Sequence, residues 1–522
     1  MTRPTVDETR SDDAPLNSGR RLVILLMAGA AVSKALGLGR EILMAHALGA
    51  SMVADAFRLA LTGVSMPVAI FLNESVPAVL IPLHRHWREN DQVARPFAAL
   101  VVALGTIATL LAALVILFAS QWTEALAGGF SPEAKAKAVE FVRIMALGMP
   151  ATVIVSVLSA GEISVGRARL TTIRAGLLNV TVIIGLLLLM AFHWANSIAW
   201  AFSAAFDILA VWGLATLIRE GALDFRSIDV RDVVDAARTF FVRIRTLLIL
   251  PLVEQGNIWI ERLLASRHAS GTIASLDYAR TITETAVLFI SQPIGLMLLS
   301  RAASEDDGKT VEAAMRPMFA IGLPSCVVLA LFSTDIVRTV FARGAFDEVA
   351  VRLTSDAISG ISVGLWATTI GWVVLRILNR AGRNAAAVLV LIAAYLANLV
   401  FNVAVFSLSP DSTSGPLILG LGESLRGIVM FGATATLLGV AGVAMRMLLL
   451  AAVPSVSVLV LGLAVHEYVA SFWWRVAAAA GLWTAGVAVG LFILVPNLTG
   501  TGRKVLSDLG GRFGRRGASG DR

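Results

Sequence analysis

Apolar residues along the chain gather in long runs separated by short polar connections. A helix that crosses a bilayer needs about 20 predominantly apolar residues. Runs of that order stand at residues 22–46, 52–83, 96–120, 136–164, 171–193, 197–218, 240–264, 272–301, 312–333, 351–378, 384–408, 416–441, 446–466 and 473–496. The pattern predicts an all-α polytopic membrane protein of about fourteen transmembrane helices.

Composition agrees: 57% of residues are hydrophobic and 15% charged, with a mean hydropathy of +0.79, outside the range of a soluble domain. The net charge of +7 does not point to nucleic acid, because the basic residues sit in short clusters between apolar runs, as cytoplasmic loops require. Cys326 is the single cysteine and lies in an apolar run, which excludes an intrachain disulfide or a cysteine metal cluster and makes it core. Residues 1–20 carry Asp7, Glu8, Asp12 and Asp13, a poor secretory n-region, and the next run lacks a small-residue cleavage site. They are expected to form a disordered tail before the first span.

Loop charge sets the orientation. Arg85, Arg88 and Arg95 follow the second run, Arg167, Arg169 and Arg174 the fourth, and Arg219, Arg226, Arg231, Arg238, Arg243 and Arg245 the sixth. Lys309 follows the eighth, Arg380 and Arg383 the tenth, Arg446 the twelfth, and Arg503, Lys504, Arg512, Arg515 and Arg516 fill the tail. Most opposite connections, such as 193–196 and 407–415, are weakly charged; 335–347, with Arg338 and Arg343, is the exception. Both termini are expected in the cytoplasm.

Sliding the sequence against itself by 222 positions aligns Arg40 with Arg262, Gly49 with Gly271, Asp55 with Asp277 and Arg58 with Arg280. A shift of 216 aligns Gly148 with Gly364, Ala151 and Thr152 with Ala367 and Thr368, Ile154 with Ile370, Val157 with Val373, and Gly166-Arg167 with Gly382-Arg383. Apolar matches arise by chance in such a composition, whereas charged ones do not. Two blocks at nearly one offset argue for duplication, and an even number of helices between copies makes the repeats parallel, related by an axis along the membrane normal. The expected organisation is a tail (1–20), an N-lobe of helices one to six (21–219), a basic interlobe linker (220–245), a C-lobe of helices seven to twelve (246–441), two added helices (442–497) and a basic cytoplasmic tail (498–522).

Ionisable residues inside apolar sequence are costly and mark function. The stretch 33–58 holds Lys34, Arg40, Glu41, Asp55 and Arg58; its copy holds Glu261, Arg262, Asp277 and Arg280. Arg40 and Asp55 stand equally far from the turn at Gly49 and Ala50, about 10–13 Å below one membrane face at about 1.5 Å per residue. The expectation is that Asp55 holds Arg40, and that Arg40, Lys34 and Arg280 form an anion site. Lys34 lies about 120° from Arg40 around a regular helix, so a shared site also asks for a bend at Gly37 and Gly39.

Transporters built from such repeats bind substrate between the lobes and alternate access. A cationic cavity fits an anionic ligand; the arginine fork suits phosphate, and lysine adds a point charge. Lys34, Arg40, Asp55, Arg58, Arg262 and Arg280 are the substrate-binding candidates, with Glu41, Glu254, Asn257, Glu261 and Asp277 as candidates for lining the cavity or coupling an ion. Glu162, Asp207, Glu284, Arg376, Glu423 and Arg426 are further intramembrane polar residues, for which structural pairing competes with a cavity role. No Walker-type GK[ST] loop, HExxH or CxxC occurs, so no enzyme, metal or cofactor is expected, and the coupling ion is unassigned.

The stretches 33–57, LILPLVEQGNIWIERLLASRHASGTIASLDYAR (248–280), IVRTVFARGAFD (336–347) and LRILNRAGRN (375–384) resemble the MurJ/MviN family of lipid II flippases, in the multidrug/oligosaccharidyl-lipid/polysaccharide exporter superfamily. FARGAFD is the most specific of them. The resemblance implies fourteen helices, two lobes around a cationic cavity, and a last helix pair forming a groove for a lipid tail. It implies a bacterial cytoplasmic (inner) membrane, with membrane lipid, a polyprenyl-diphosphate-linked saccharide and cell-envelope synthesis enzymes as partners, and no nucleic acid. Lys34 stands where the family usually has an arginine, Arg40 matches the next arginine, and Asp55 matches the aspartate of a TDAF-like motif, here ADAF. The family's paired arginines of helix two are replaced by Pro67-Val68-Ala69, its Glu-Gly by Asn73-Glu74, and its YADR motif reads Tyr278-Ala279-Arg280-Thr281.

Three functions follow: a flippase for a lipid II-like peptidoglycan precursor, a flippase for an exopolysaccharide or other lipid-linked unit, and a transport-inactive membrane scaffold, to which the missing motif residues point. A small-cation or drug exporter would want an acidic cavity.

Overall fold

The computed structural model describes residues 33–72, 75–89, 93–285, 307–408 and 414–495. Every regular element among them is helical. The chain runs α1 (33–48), α2 (Met52–Ser65), a 3-10 turn (Met66–Val68), α3 (Ala69–Leu72), α4 (Ser75–Glu89), α5 (Ala94–Leu117), α6 (Ala119–Ala127), α7 (Pro132–Ala146), α8 (Met149–Ser164), α9 (Arg169–Phe192), α10 (Ser197–Arg219) and α11 (Val230–Ile244). After a second 3-10 turn (Arg245–Leu247) come α12 (Ile249–Ala265), α13 (272–285), α14 (Asp307–Leu331), α15 (Ser333–Phe341), α16 (Glu348–Arg380), α17 (Asn384–Leu408), α18 (Gly415–Leu437), α19 (Ala441–Tyr468) and α20 (Phe472–Leu494). The expectations for 1–20, 22–32, 286–301 and 498–522 lie outside the described residues.

Among the described residues, nine helices are long and apolar enough to cross a membrane, or ten with the bent α7–α8 pair. The charged segments α1, α2–α4, α12 and α13 fall in the other four expected runs, 22–46, 52–83, 240–264 and 272–301. Proline breaks two of the runs. The run 52–83 is divided at the turn holding Pro67, and the fourth span bends by 45° between Ala146 and Met149, just before Pro150. Proline has no N–H to donate and its ring clashes with the preceding turn. At an offset of 216, Trp366 stands where Pro150 does, and α16 runs unbroken for 33 residues.

Helix ends repeat between the copies. At the end of α8 the Gly166 N–H donates to Ile163 and the Arg167 N–H to Glu162; at the end of α16 the Gly382 N–H donates to Asn379 and the Arg383 N–H to Leu378. Both glycines have φ +75°. These are Schellman ends, which satisfy the last carbonyls of the helix. A third pair, Gly221 and Gly439, closes α10 and α18 with φ +71° and +72°. Starts match too: the Ser131 hydroxyl accepts from the Ala134 N–H, and the Asp347 carboxylate from the Ala350 N–H, again 216 apart.

The described chain packs as two compact units. The first holds residues through Ala47, Leu59–Glu124 and Lys135–Pro251; the second holds Leu48–Arg58, Ala125–Ala134 and the residues from Leu252 on. In the first, α8 packs against α4, α5 and α10. The basic connection 220–245 contains α11, whose start is fixed by a capping box between Asp229 and Asp232. The Asp229 N–H and then Arg95 hold the Asp232 carboxyl below the usual carboxylate range. In the second unit α16 lies along α18, with the Ser424 hydroxyl donating to the Gly360 carbonyl at 2.6 Å and accepting from the Gly364 N–H at 2.7 Å. Cys326 is buried core, as expected.

Helices α19 and α20 pack on α14, sharing a cluster built around Phe319, Met447 and Leu494. They are also joined by charge. Arg475 of α20 donates from Nη2 to Asp335 of α15 at 2.9 Å, and Asp335 is 2% exposed.

Candidate functional site

The turn between α1 and α2 and the turn between α12 and α13 each place a glycine in the left-handed region: Gly49 at φ +61° and Gly271 at φ +91°. Neither can be another residue without strain. A Cβ on Gly49 would stand 2.2 Å from the Ala345 carbonyl oxygen, and one on Gly271 2.1 Å from that of Ala50. The FARGAFD segment is therefore a packing platform within the second unit. Tyr278 packs tilted against its Phe341 and edge-on against its Phe346 and donates its hydroxyl to the Gly49 carbonyl at 3.1 Å.

Asp55 lies in the same turn and is buried. Its two carboxylate oxygens accept from the Gly271 N–H at 2.6 Å and the Ala274 N–H at 2.7 Å. Asp55 thus caps α13, whose first N–H groups have no partner inside the helix and carry the positive end of its dipole. This corrects the expected Arg40–Asp55 pair: the partner of Arg40 is Glu41, whose carboxylate its Nη2 reaches at 2.5 Å. Depth from the turn equated Arg40 with Asp55, yet depth does not say which way a side chain points. Nor does α1 break at Gly37 and Gly39; it is α-helical from 33 to 48, with Lys34 exposed and Arg40 partly buried.

Within the second unit the structure gathers Arg58, Glu261, Arg262, Asp277 and Arg280 into one cluster, together with Glu423 and Arg426 of α18. Asp277 is its hub. It accepts from Arg262 Nη2 at 2.9 and 3.2 Å and from Arg280 Nη1 at 3.3 Å, and Arg58 Nε stands 3.8 Å away. The Arg58 guanidinium also lies over the Tyr278 ring. Arg280 donates from Nη2 to Glu261 at 2.6 Å and from both Nε and Nη2 to Glu423. Arg426 lies 3.9 Å from Glu423 and over the Tyr395 ring.

Arg280 is therefore enclosed by carboxylates and is not the open cation expected of an anion site. Arg262 differs from it. Its Nη2 is bonded, but Nε and Nη1 are buried with no acceptor among the described residues. Buried donors are nearly always paired, so Arg262 retains hydrogen-bonding capacity for an oxyanion. Lys34, Arg40 and Glu41 belong to the first unit.

Glu254 and Asn257 also lie on α12, and their side chains bond to partners other than Asp277. Glu254 bonds with the Tyr395 hydroxyl, and the Asn257 side-chain oxygen accepts from Asn398, which accepts from Asn402. The sequence reading missed Asn398 and Asn402, although two asparagines four apart in an apolar run are a legible sign of a buried polar face. It also left Glu423 outside the leading candidates; the Glu423–Arg426 spacing in the apolar α18 was its signal. Glu162 is structural: it accepts from Arg169 Nε at 2.7 Å and the Leu170 N–H at 2.8 Å, closing the α8–α9 connection.

All-helical apolar segments and a buried charged cluster fit a polytopic membrane transporter. Solved structures share the fold. A lipid II flippase MurJ in an inward closed conformation matches with a TM-score of 0.74 and 18% identity over 90% of this chain and 98% of that one. An inward-facing MATE family multidrug resistance transporter of the MOP superfamily matches with a TM-score of 0.61 and 14% identity over 81% of this chain and 98% of that one. Curated relatives include a lipid II flippase MurJ of Burkholderia cenocepacia, 26% identical over 384 residues, which span 66% of this chain and 70% of that protein. A probable lipid II flippase MurJ of Rhizobium tropici is 26% identical over 373 residues, 64% of this chain and 65% of that protein. The family model for lipid II flippase MurJ matches residues 44–476. The chain belongs to the MurJ lipid II flippase family, a family of transporters rather than enzymes.

Proposed function

We propose that this protein moves a polyprenyl-diphosphate-linked saccharide, lipid II in the first place, across the bacterial cytoplasmic membrane by alternating access, with both termini in the cytoplasm. The repeat lobes 21–219 and 246–441 are the moving bodies, and cell-envelope synthesis enzymes supply and consume the lipid. The carrying observation is Arg262, whose buried Nε and Nη1 donors have no acceptor among the described residues and which shares Asp277 with Arg58 and Arg280. Nε and Nη1 lie on opposite edges of the planar group, so each offers its own charged hydrogen bond to an oxyanion oxygen. Lys34 and Arg40 of the first unit are further candidate phosphate contacts, and Glu254 and Asn257 candidate cavity or ion-coupling residues. The barrier to moving such a lipid is desolvation of its charged head, and fixed donors replace water there.

An exopolysaccharide unit is the second reading, favoured by the apolar Pro67-Val68-Ala69 segment that replaces the family's helix-two arginines. Native mass spectrometry of the purified protein tests both. Retention of lipid II over a polyprenyl-diphosphate oligosaccharide supports the first and the reverse supports the second. Retention of neither, with Arg262→Ala indistinguishable from wild type, leaves the scaffold.

A further inference from the structure

Helix α11 shows two faces of different chemistry. Its inner face, Ala236, Phe240 and Ile244 at four-residue spacing, is buried against α4 and α5, and Phe240 and Phe241 both pack on Phe71. Arg95 bonds to Asp232 at 2.9 Å, which fixes the rotation of the helix about its axis. The opposite stripe is therefore held outward.

That stripe reads Arg231, Val234, Arg238, Val242, Arg245, at spacings of three, four, four and three residues. All five are exposed, Val234 by 57% and Val242 by 52%. Arg243 flanks it, also exposed, and Asp235 is the one exposed acid in the helix. A helix facing bulk water has no reason to alternate arginine with valine. At a headgroup layer the combination fits: arginine stems lie along apolar surface while their charges reach phosphate, and valines enter the acyl boundary.

Its place in the chain puts α11 at that layer. It follows α10 and precedes α12, so both its ends are tethered to spans. Arg167 and Arg169 bond to Glu220, and Arg95 to Asp232, which brings the connections after the second, fourth and sixth spans to one side of the first unit. We infer that the outer stripe of α11 docks on the anionic phospholipid headgroups of the membrane surface, through Arg231, Arg238 and Arg245 with Val234 and Val242 between them. This surface is separate from the cluster around Asp277 and does not rest on the substrate.

The test uses full-length protein in nanodiscs of phosphatidylcholine alone or with about one-third phosphatidylglycerol. An environment-sensitive fluorophore is attached at Val242→Cys in a Cys326→Ala background. Each arginine near an anionic surface gains about fivefold in partition, so emission should shift to the blue in anionic discs and return in high salt. Arg231→Gln/Arg238→Gln/Arg245→Gln should abolish the shift while the protein still elutes as wild type, since none of the three packs inward. Equal emission in both discs, the result expected if another protein covers this face, overturns the inference, as does a shift that survives the triple variant.

Discussion

Arg280 and Glu423 are bound to each other across 143 residues of sequence, the arginine Nε donating to the carboxylate at 2.6 Å and Nη2 donating to the same oxygen. Glu261 and Asp277 complete the enclosure. A diphosphate that uses Arg280 must therefore displace a carboxylate, and Glu423 competes for the place it would take.

Glu423→Gln should tighten binding of a soluble polyprenyl-diphosphate analogue. A hydrogen bond to a charged group contributes about 1.5–3 kcal/mol, so about ten- to a hundredfold is expected. Calorimetry on purified protein reads it, and weaker binding would show that Glu423 positions Arg280 for the ligand. Arg280→Ala should instead lower abundance, because it strands Glu261 and Glu423 as buried charges at about 3–5 kcal/mol.

The sequence shows some of this and hides the rest for physical reasons. Span limits read from apolar runs fall close to the helices: 171–193 against Arg169–Phe192, and 197–218 against Ser197–Arg219. Charged matches at one offset pointed to two turns that share left-handed glycines. Partner choice was not legible. Asp55 faces the start of α13 and Glu423 faces Arg280, contacts set by tertiary packing far along the chain, and no spacing within one hairpin reports them. The helix α11 falls in the basic connection 220–245 because charged residues recur along it and leave no apolar run long enough to span.

Asp55→Ala should destabilise the protein by about 2 kcal/mol, as it removes both acceptors from the N–H groups of Gly271 and Ala274. Asp55→Asn keeps one acceptor and should cost about half of that. Hydrogen exchange at residues 271–275 would rise in the first variant and less in the second; unchanged exchange would contradict the capping role.

Gly49→Ala and Gly271→Ala should each reduce folded yield severely, since both combine positive φ with a backbone oxygen within 2.2 Å of the added carbon. Gly256→Ala, inside α12 with nothing within 4 Å, is the control and should be neutral or stabilising by up to about 1 kcal/mol. Yield of monodisperse protein in detergent checks all three.

Arg475→Ala leaves Asp335 buried without its partner and should loosen α20 from α15. Destabilisation of about 3–5 kcal/mol is expected. Asp335→Asn/Arg475→Gln, which removes both charges, should recover most of it. Thermal unfolding of the three proteins decides, and no recovery in the double variant would mean that packing of the Arg475 stem, not the charge pair, holds the helix.

The central claim is tested most directly by reconstituting the protein in liposomes with fluorescent lipid II and measuring how fast inner-leaflet label becomes accessible to a membrane-impermeant quencher added outside. Wild type should accelerate exchange over protein-free liposomes, and Arg262→Ala should slow it about tenfold or more while the protein remains folded. Wild-type exchange no faster than in protein-free liposomes, for lipid II and for a polyprenyl-diphosphate oligosaccharide alike, would contradict the account.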